Sequence, residues 1–317
     1  MRIHIILGVI LNMKIGVLYG GTSAEREVSL SSGKGIIDAL SKKGHEVIGI
    51  DFHPQRINDI INLNVDIVYI GLHGRYGEDG RIQALLEMLN IPYVGSGVLG
   101  SALAMDKAKA KTFFHKNGIR VAKEMVVYKH NYAKGQFKWD TNFPAVVKPN
   151  QEGSTIGLTI AQNEQELLNG IEEAFKFDDT VLVEEFIDGI EVTVAVMGNK
   201  GDEKALPVVE IVPKNKYYDY EAKYAPGMSE HIVPARVEDE VTTLLQKNAV
   251  LAHQSLGCDI YSRVDFIVPK DGSEPVILEV NTLPGMTPTS LYPDAAREIG
   301  LSYEDMIERL VELSIKK

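Results

Sequence analysis

Two strand-like runs near the C-terminus, residues 261–268 (YSRVDFIV) and 275–282 (PVILEVNT), are separated only by Pro269-Lys270-Asp271-Gly272-Ser273-Glu274. An Asp-Gly pair between two β-rich runs marks a hairpin, so the two segments are expected to pair antiparallel about Gly272. Side chains two apart on a strand share a face. Arg263 and Asp265 therefore lie together, as do Glu279 and Asn281, and the fold-back sets Asp265 opposite Glu279 and Arg263 opposite Asn281. Facing carboxylates repel each other and cost stability, so the pattern predicts a positive partner. A hard, oxygen-seeking cation such as Mg2+, brought in with substrate phosphates, meets that need. A solvated outer face with Arg263 neutralising the acids meets it as well, and the hairpin alone does not choose between them.

At 317 residues the chain has room for two or three domains with well-buried cores. Its net charge of −11 argues against nucleic acid or an anionic membrane as partner, while leaving room for a locally basic pocket. The single cysteine, Cys258, permits no internal disulfide and no thiolate cluster, and reads as a small core residue. A reducing cytoplasm is the expected compartment. The apolar opening MRIHIILGVILN is too short to span a bilayer and lacks the charge and cleavage pattern of a signal peptide. A second methionine, Met13, opens MKIGVLYGG, a complete first strand and turn. Translation is therefore expected to begin at Met13, with residues 1–12 a start-site extension.

Residues 14–105 alternate strand and helix: strands at 15–19, 45–52, 65–72 and 92–94, helices at 28–40 and 82–89. This alternation predicts a parallel sheet with crossover helices. Gly95-Ser96-Gly97 reads as a linker, followed by a lysine-rich helix from Met105-Asp106-Lys107 to Asn117-Gly118. The texture then changes. Strands are expected at 125–128, 144–148, 157–161, 181–186, 191–197 and 205–212, with helices at 163–175, 238–255, 291–299 and 303–315. Residues 213–234, rich in Tyr, Lys, Pro and Gly, are too long for a plain connection and read as a lid.

Several loops carry polar groups in patterns open to two readings. Gly20-Gly21-Thr22-Ser23-Ala24-Glu25 follows a strand and opens a helix. Thr22-x-x-Glu25 matches a capping box; Glu25 at a pocket mouth would instead pair with a substrate ammonium. A dinucleotide site with Asp51 as ribose acceptor is a third reading, but G-x-G-x-x-G is absent. His73-Gly74-Arg75-Tyr76-Gly77-Glu78-Asp79-Gly80 sits where open α/β sheets bind ligands, or is a solvated turn. Lys148 ends the strand FPAVVK and precedes Gly153-Ser154-Thr155, whose amides and hydroxyls suit an anion, although no P-loop motif occurs. The reversal at 183–191 offers backbone groups to a nucleobase and carboxylates to ribose, or is an acidic turn. Gly285 can aim an amide at an oxyanion, and Ser290 is a plausible N-cap of the helix that follows.

Taken together, GGTSAEREVSLSSG (20–33), LHGRYGEDG (72–80), GSGVLGSALAMDK (95–107), VVKPNQEGSTIG (146–157), YDYEAKY (218–224), RVDF (263–266) and LEVNTLPGMTPTSL (278–291) resemble the ATP-grasp superfamily and, within it, the D-alanine–D-alanine ligase family. The matches span nearly the whole chain from Met13. The resemblance implies a mixed α/β and α+β fold: an N-terminal parallel-sheet α/β domain (1–105) followed by a two-part ATP-grasp fold, with a small subdomain at 106–188 and a C-terminal subdomain at 189–317. It implies ATP as a substrate, with Lys107, Lys148, Ser154 and Thr155 at its phosphates and Glu184, Ile187 and Glu191 at its adenosine. Asp265, Glu279 and Asn281 match the ligands of two Mg2+ ions, for which Mn2+ can substitute. Glu25 matches the residue that binds the ammonium of a first D-alanine, with His73 beside it. Arg263 and the Gly285 amide match an oxyanion site, and Lys223, Ser290 and Leu291 a pocket for the second carboxylate. Tyr224, with Glu25 and Ser154, matches a hydrogen-bonded triad. The implied reaction is ligation of two D-alanines through an acylphosphate, for peptidoglycan precursor synthesis, by a cytoplasmic homodimer. A ligase using D-lactate as acceptor is the alternative; members of that subgroup usually carry Phe where this chain has Tyr224. Another ATP-grasp carboxylate–amine ligase is a more distant one. Glu185 stands where some relatives have lysine, at a contact expected through the backbone.

Overall fold

The computed structural model describes residues 5–6, 9–10, 12–213 and 229–316. Apolar runs at 15–18 and 67–70, buried on both faces, make the centre of the first sheet, as parallel pairing under crossover helices requires. Strands β1 (Lys14–Gly20), β2 (Glu46–Phe52), β3 (Ile67–Ile70) and β4 (Tyr93–Val94) pair in the order β2-β1-β3-β4, all parallel. Helix α1 (Arg26–Lys42) crosses from β1 to β2, and α2 (Arg81–Met88) from β3 to β4. The helix lies close on the sheet because Gly33 faces Tyr19. A Cβ added at Gly33 would fall 2.3 Å from the Tyr19 Cβ.

After β4 the chain passes through Gly95-Ser96-Gly97, where a linker was expected, directly into α3 (Val98–Met105). Gly95-Ser96-Gly97 is no loose connection: Ser96 is buried and its hydroxyl accepts from the Asp259 amide at 3.1 Å. Gly100 approaches the Gly257 carbonyl so closely that a Cβ there would lie 2.6 Å from it. The small residues that resemble a linker are therefore packing contacts. Helix α4 (Lys107–Lys116) follows, N-capped by Asp106, whose carboxylate accepts from the Lys109 amide at 3.1 Å.

A second sheet, antiparallel, contains β5 (Glu124–Tyr128), β6 (Ala145–Pro149), β7 (Thr159–Ala161) and β8 (Thr180–Glu185) in the order β5-β8-β6-β7. Helix α5 (Glu164–Ala174), capped by Asn163, buries Leu167 and Ile171 against it. The third sheet runs β11-β10-β9-β12-β13, built from β9 (Gly189–Gly198), β10 (Val209–Pro213), β11 (Ser229–Ile232), β12 (Ile260–Pro269) and β13 (Val276–Asn281), with Lys204–Ala205 pairing on β9. Helix α6 (Asp239–Ser255) covers one face.

Alternation along β9 and β12 divides the work of this sheet. Val192, Val194, Val196, Val264 and Phe266 face one way into a core with α4 and α6. Thr193, Ala195, Met197, Tyr261, Arg263 and Asp265 face the other. At one end Ala195, Met197 and Tyr261 join the core of the parallel sheet, and α7 (Leu291–Glu298) and α8 (Tyr303–Ile315) pack into that same core. At the other end the polar members meet open cavity.

The mixed α/β and α+β fold class expected from the sequence is present, with the parallel sheet first and antiparallel sheets after it. Among the described residues no helix is long and apolar enough to cross a membrane. Residues 214–228, most of the expected lid and including Lys223 and Tyr224, lie outside the described residues. Gly33→Ala is expected to lower stability by about 1–3 kcal/mol through overpacking against Tyr19; a urea midpoint equal to that of the parent would refute the close approach.

Candidate active site

Hydrogen bonds tie the loops after β1 and β3 to one helix. Ser29 of α1 accepts from the Gly20 amide at 2.8 Å and donates to the Gly71 carbonyl at 2.7 Å. Ser23 donates to the His73 carbonyl at 2.7 Å. Glu25 and His73 are thereby held in the wall of a cavity of about 580 Å³ at the carboxyl ends of the parallel strands. Glu25 stands at the N-cap position of α1, yet its side chain makes no cap bond. Its amide donates to Ser23 Oγ at 3.2 Å, and its carboxylate accepts from the Ser154 hydroxyl across 129 residues of chain. The capping box is thus not formed. Asp51 is held by a two-pronged pair with Arg26 at 2.8 and 2.7 Å, so its carboxylate serves the fold rather than a ribose.

His73 Nδ1 lies 3.0 Å from the Leu283 carbonyl and Nε2 lies 3.0 Å from Ser32 Oγ. Burial lowers the imidazole pKa, so the ring is neutral. A carbonyl can only accept, which places the proton on Nδ1 and makes Ser32 the donor to Nε2.

The hairpin forms in the expected register: Arg263 pairs with Asn281 and Asp265 with Glu279, with a bulge immediately after Asp265. The repulsion foreseen between the acids is offset inside the chain. Arg263 grips Asp265 with Nε at 2.9 Å and a terminal nitrogen at 2.7 Å, Thr193 Oγ1 donates at 2.6 Å and Asn281 Nδ2 at 3.0 Å. Lys107 Nζ stands 3.3 Å from Glu279. Both acids line cavity rather than bulk solvent, and Asp265 is buried. Among the described residues no three His, Cys, Asp or Glu side chains form a metal-binding group. The oxygen donors here are two carboxylates and, if the Asn281 amide turns over, its carbonyl. Such a hard, all-oxygen set fits Mg2+ that also keeps water and phosphate ligands.

Lys107 Nζ donates to the Glu152 carbonyl at 2.7 Å, tying α4 to the loop after β6. In that loop Ser154 and Thr155 have φ of 52° and 65°, the left-handed region. Two successive non-glycine residues there are costly, β-branched threonine most of all, and such strain gathers at ligand sites.

Beyond this loop lies a second cavity of about 490 Å³ between the second and third sheets, lined by Lys148, Thr155, Glu184, Ile187, Glu191 and Asp265 among others. The two cavities share Lys107, Gly153, Ser154 and Glu279. Glu184 is buried with two lysines beside it. Burial alone would raise its pKa, but Lys111 and Lys148 hold the carboxyl at about 2. Gly285, Ser290 and Leu291 form the far wall of the first cavity. Ser290 precedes α7 as expected, but its hydroxyl turns back, accepting from the Thr287 amide at 3.1 Å instead of capping the helix.

Residues 14–58 and 55–96 match the family described as D-Ala–D-Ala ligase N-terminus, and residues 113–312 match the D-Ala–D-Ala ligase C-terminus. A D-alanine–D-alanine ligase of Halalkalibacterium halodurans is 72% identical over 305 residues, covering 96% of this chain and 100% of that protein. The chain belongs to the D-alanine–D-alanine ligase family. A D-alanine–D-alanine ligase of Pelotomaculum thermopropionicum is 46% identical, covering 96% of this chain and 98% of the relative. Among solved structures, the D-alanine–D-alanine ligase from Bacillus anthracis complexed with ATP superposes with a TM-score of 0.82 at 32% identity, covering 96% of this chain and 98% of that one. The VanG D-Ala:D-Ser ligase from Enterococcus faecalis gives 0.82 at 33%, covering 96% and 100%.

Sequence reasoning missed Glu78. It lines the first cavity with Glu25 and accepts from the Gly74 amide at 2.6 Å. Burial, then the neighbouring Glu25 charge, raises its pKa from 4.5 to about 8. Its place in the Gly-Glu-Asp-Gly run resembled a turn, and nothing local announces burial. Between pH 4.5 and 8 the folded chain keeps a proton that the unfolded chain has released. This group's contribution to stability is therefore largest below 4.5, falls as pH rises, and levels off above about 8. In metal-free buffer Glu78→Gln is expected to gain melting temperature relative to the parent as pH rises through that window. A difference independent of pH would refute the raised pKa.

Proposed function

We propose that the protein ligates two D-alanine molecules into D-alanyl-D-alanine with release of ADP and phosphate, supplying a precursor for peptidoglycan and so for cell-wall biogenesis and cell shape. One observation carries the reading: a cavity walled by Glu25, His73, Arg263 and Gly285 opens onto a second walled by Lys148, Glu184 and Glu191, and they meet at Lys107, Ser154 and Glu279. An amino acid in the first thus has its carboxylate near the end of a triphosphate lying in the second.

In this reading Glu25 holds the ammonium of the first D-alanine, with His73 beside it. Lys107, Lys148, Ser154 and Thr155 hold the phosphates of ATP. Glu184, Ile187 and Glu191 hold its adenine and ribose. Asp265, Glu279 and Asn281 would hold Mg2+, two ions by family resemblance, which neutralises charge on the phosphates when bound. The first D-alanine carboxylate attacks the γ-phosphorus, the bond to the ADP oxygen breaks, and an acylphosphate forms. The second D-alanine is placed by Lys223, Ser290 and Leu291 and attacks the acyl carbon as a free amine. The tetrahedral oxyanion lies against Arg263 and the Gly285 amide. Phosphate then departs and the nitrogen loses its proton. An acylphosphate hydrolyses in water, which calls for a lid. Of the 213–234 span read as one, Pro213 and Ser229–Ile232 belong instead to β10 and β11 of the third sheet. The lid role therefore falls to 214–228, with Tyr224 joining Glu25 and Ser154 across the first-alanine site. The chain is proposed to act in the cytoplasm as a homodimer, divided at 1–105, 106–188 and 189–317.

Phosphate release from ATP with Mg2+ tests the reaction. D-Alanine is expected to drive release with dipeptide formed in equal amount, and L-alanine or no amino acid to leave only background. Release that ignores D-alanine contradicts the reading, and turnover with D-lactate or D-serine as preferred acceptor at neutral pH would reassign the second site. Arg263→Ala is expected to lower kcat by about 10²–10³, with KM for ATP changed only a few-fold. The reverse split would refute the oxyanion role.

A further inference from the structure

Helix α4 projects Lys107 and Lys111 from one face, four residues apart. Lys107 reaches the junction of the two cavities, whereas Lys111 turns into the protein and its side chain is 1% exposed. Its Nζ lies 2.6 Å from Glu184 Oε1 and 3.0 Å from Glu124 Oε2. Lys148 Nζ lies 2.9 Å from the same Glu184 oxygen. One buried carboxylate oxygen thus serves two ammonium groups. Lys111 is paired with two carboxylates at hydrogen-bonding distance, and their charge keeps its ammonium protonated despite burial. Lys148 and Glu184 line the nucleotide cavity and Lys111 does not.

We infer that Lys111 is a positioning residue for nucleotide binding: it remains on Glu184 as a standing counter-ion, and so lets Lys148 leave that carboxylate for the phosphates of ATP. This rests on the reading of Lys148 as a phosphate ligand. Without Lys111, movement of Lys148 would strand a buried carboxylate, which is strongly unfavourable. With Lys111 in place the carboxylate stays paired whether the nucleotide is present or not. Burial disfavours the charge on Lys148; the Glu184 carboxylate opposes that and the Lys111 and Lys107 charges add to it, leaving the pKa lowered, so an arriving phosphate relieves an ammonium the empty cavity holds at a cost.

The test compares Lys111→Gln, Glu184→Gln, the double variant and Lys148→Gln by steady-state kinetics and by ADP binding in calorimetry. Lys111→Gln is expected to raise the KM for ATP and the Kd for ADP about tenfold, with kcat and the KM for D-alanine changed less than about twofold. In the Glu184→Gln background, Lys111→Gln is expected to add no further rise, because no carboxylate remains to recapture Lys148. If the single variant fails to fold, the comparison of Glu184→Gln with the double variant carries the test alone. An unchanged KM for ATP in Lys111→Gln, or an equal further loss in the Glu184→Gln background, overturns the inference. Lys148→Gln distinguishes the two levels. If it raises the KM for ATP and Lys111→Gln does not, only the role of Lys111 falls. If it leaves nucleotide affinity intact, the phosphate role of Lys148 fails and the inference falls with it.

Discussion

The pairing of β12 with β13 sets two carboxylates, Asp265 and Glu279, against each other at the meeting point of two cavities, and much of the surrounding structure compensates for that placement. Arg263 sits two residues before Asp265 on the same face and grips both of its oxygens. Lys107 arrives from α4 to stand beside Glu279. Thr193 on the neighbouring strand and Asn281 complete the set around Asp265. Each acid has its own cation from the chain, so the fold does not need a metal to tolerate the pair. Cation binding at these oxygens would be a matter of substrate handling, requiring the Asn281 amide to turn over and the grip of Arg263 on Asp265 to loosen. An Arg263 released in that way would be available to the oxyanion of the proposed reaction.

The same logic repeats one layer away. Lys111, Lys148, Glu124 and Glu184 place two charges of each sign in a largely buried cluster beside the second cavity. Buried ion pairs add little net stability, because desolvation offsets their attraction. Their retention beside a cavity fits a use in which one charge exchanges partners while another stays. Backbone strain at Ser154 and Thr155 lies between these two charged layers, where the loop tied to Lys107 also supplies the hydroxyl that meets Glu25.

What the sequence made legible was whatever has a short period or a local signature. Alternation gave the strands, and the Asp-Gly turn gave the register of Asp265 against Glu279, which the structure bears out. The helices at 163–175 and 303–315 were visible for the same reason. Long-range features were not. The Thr22-x-x-Glu25 spacing matched a capping box, but Ser154 captures the glutamate from 129 residues away. Gly95-Ser96-Gly97 had the composition of a linker, yet Ser96 is buried and accepts from the Asp259 amide, and Gly95 lies against Tyr261. Asp51 had the position of a ribose ligand and is instead taken by Arg26. Glu78 and Lys111 acquire their character from burial, which no short stretch of sequence announces. For Lys111 a signal did exist, its four-residue spacing from Lys107 on one helix.

The most direct measurement is a crystal structure of the protein bound to Mg2+ and ADP or a non-hydrolysable ATP analogue. The nucleotide is expected in the cavity beside Lys148 and Glu184, with Asp265, Glu279 and the Asn281 carbonyl directed at metal beside its terminal phosphate. Nucleotide bound there with Asp265 still closed on Arg263, and Glu279 turned away from any metal, would contradict that expectation.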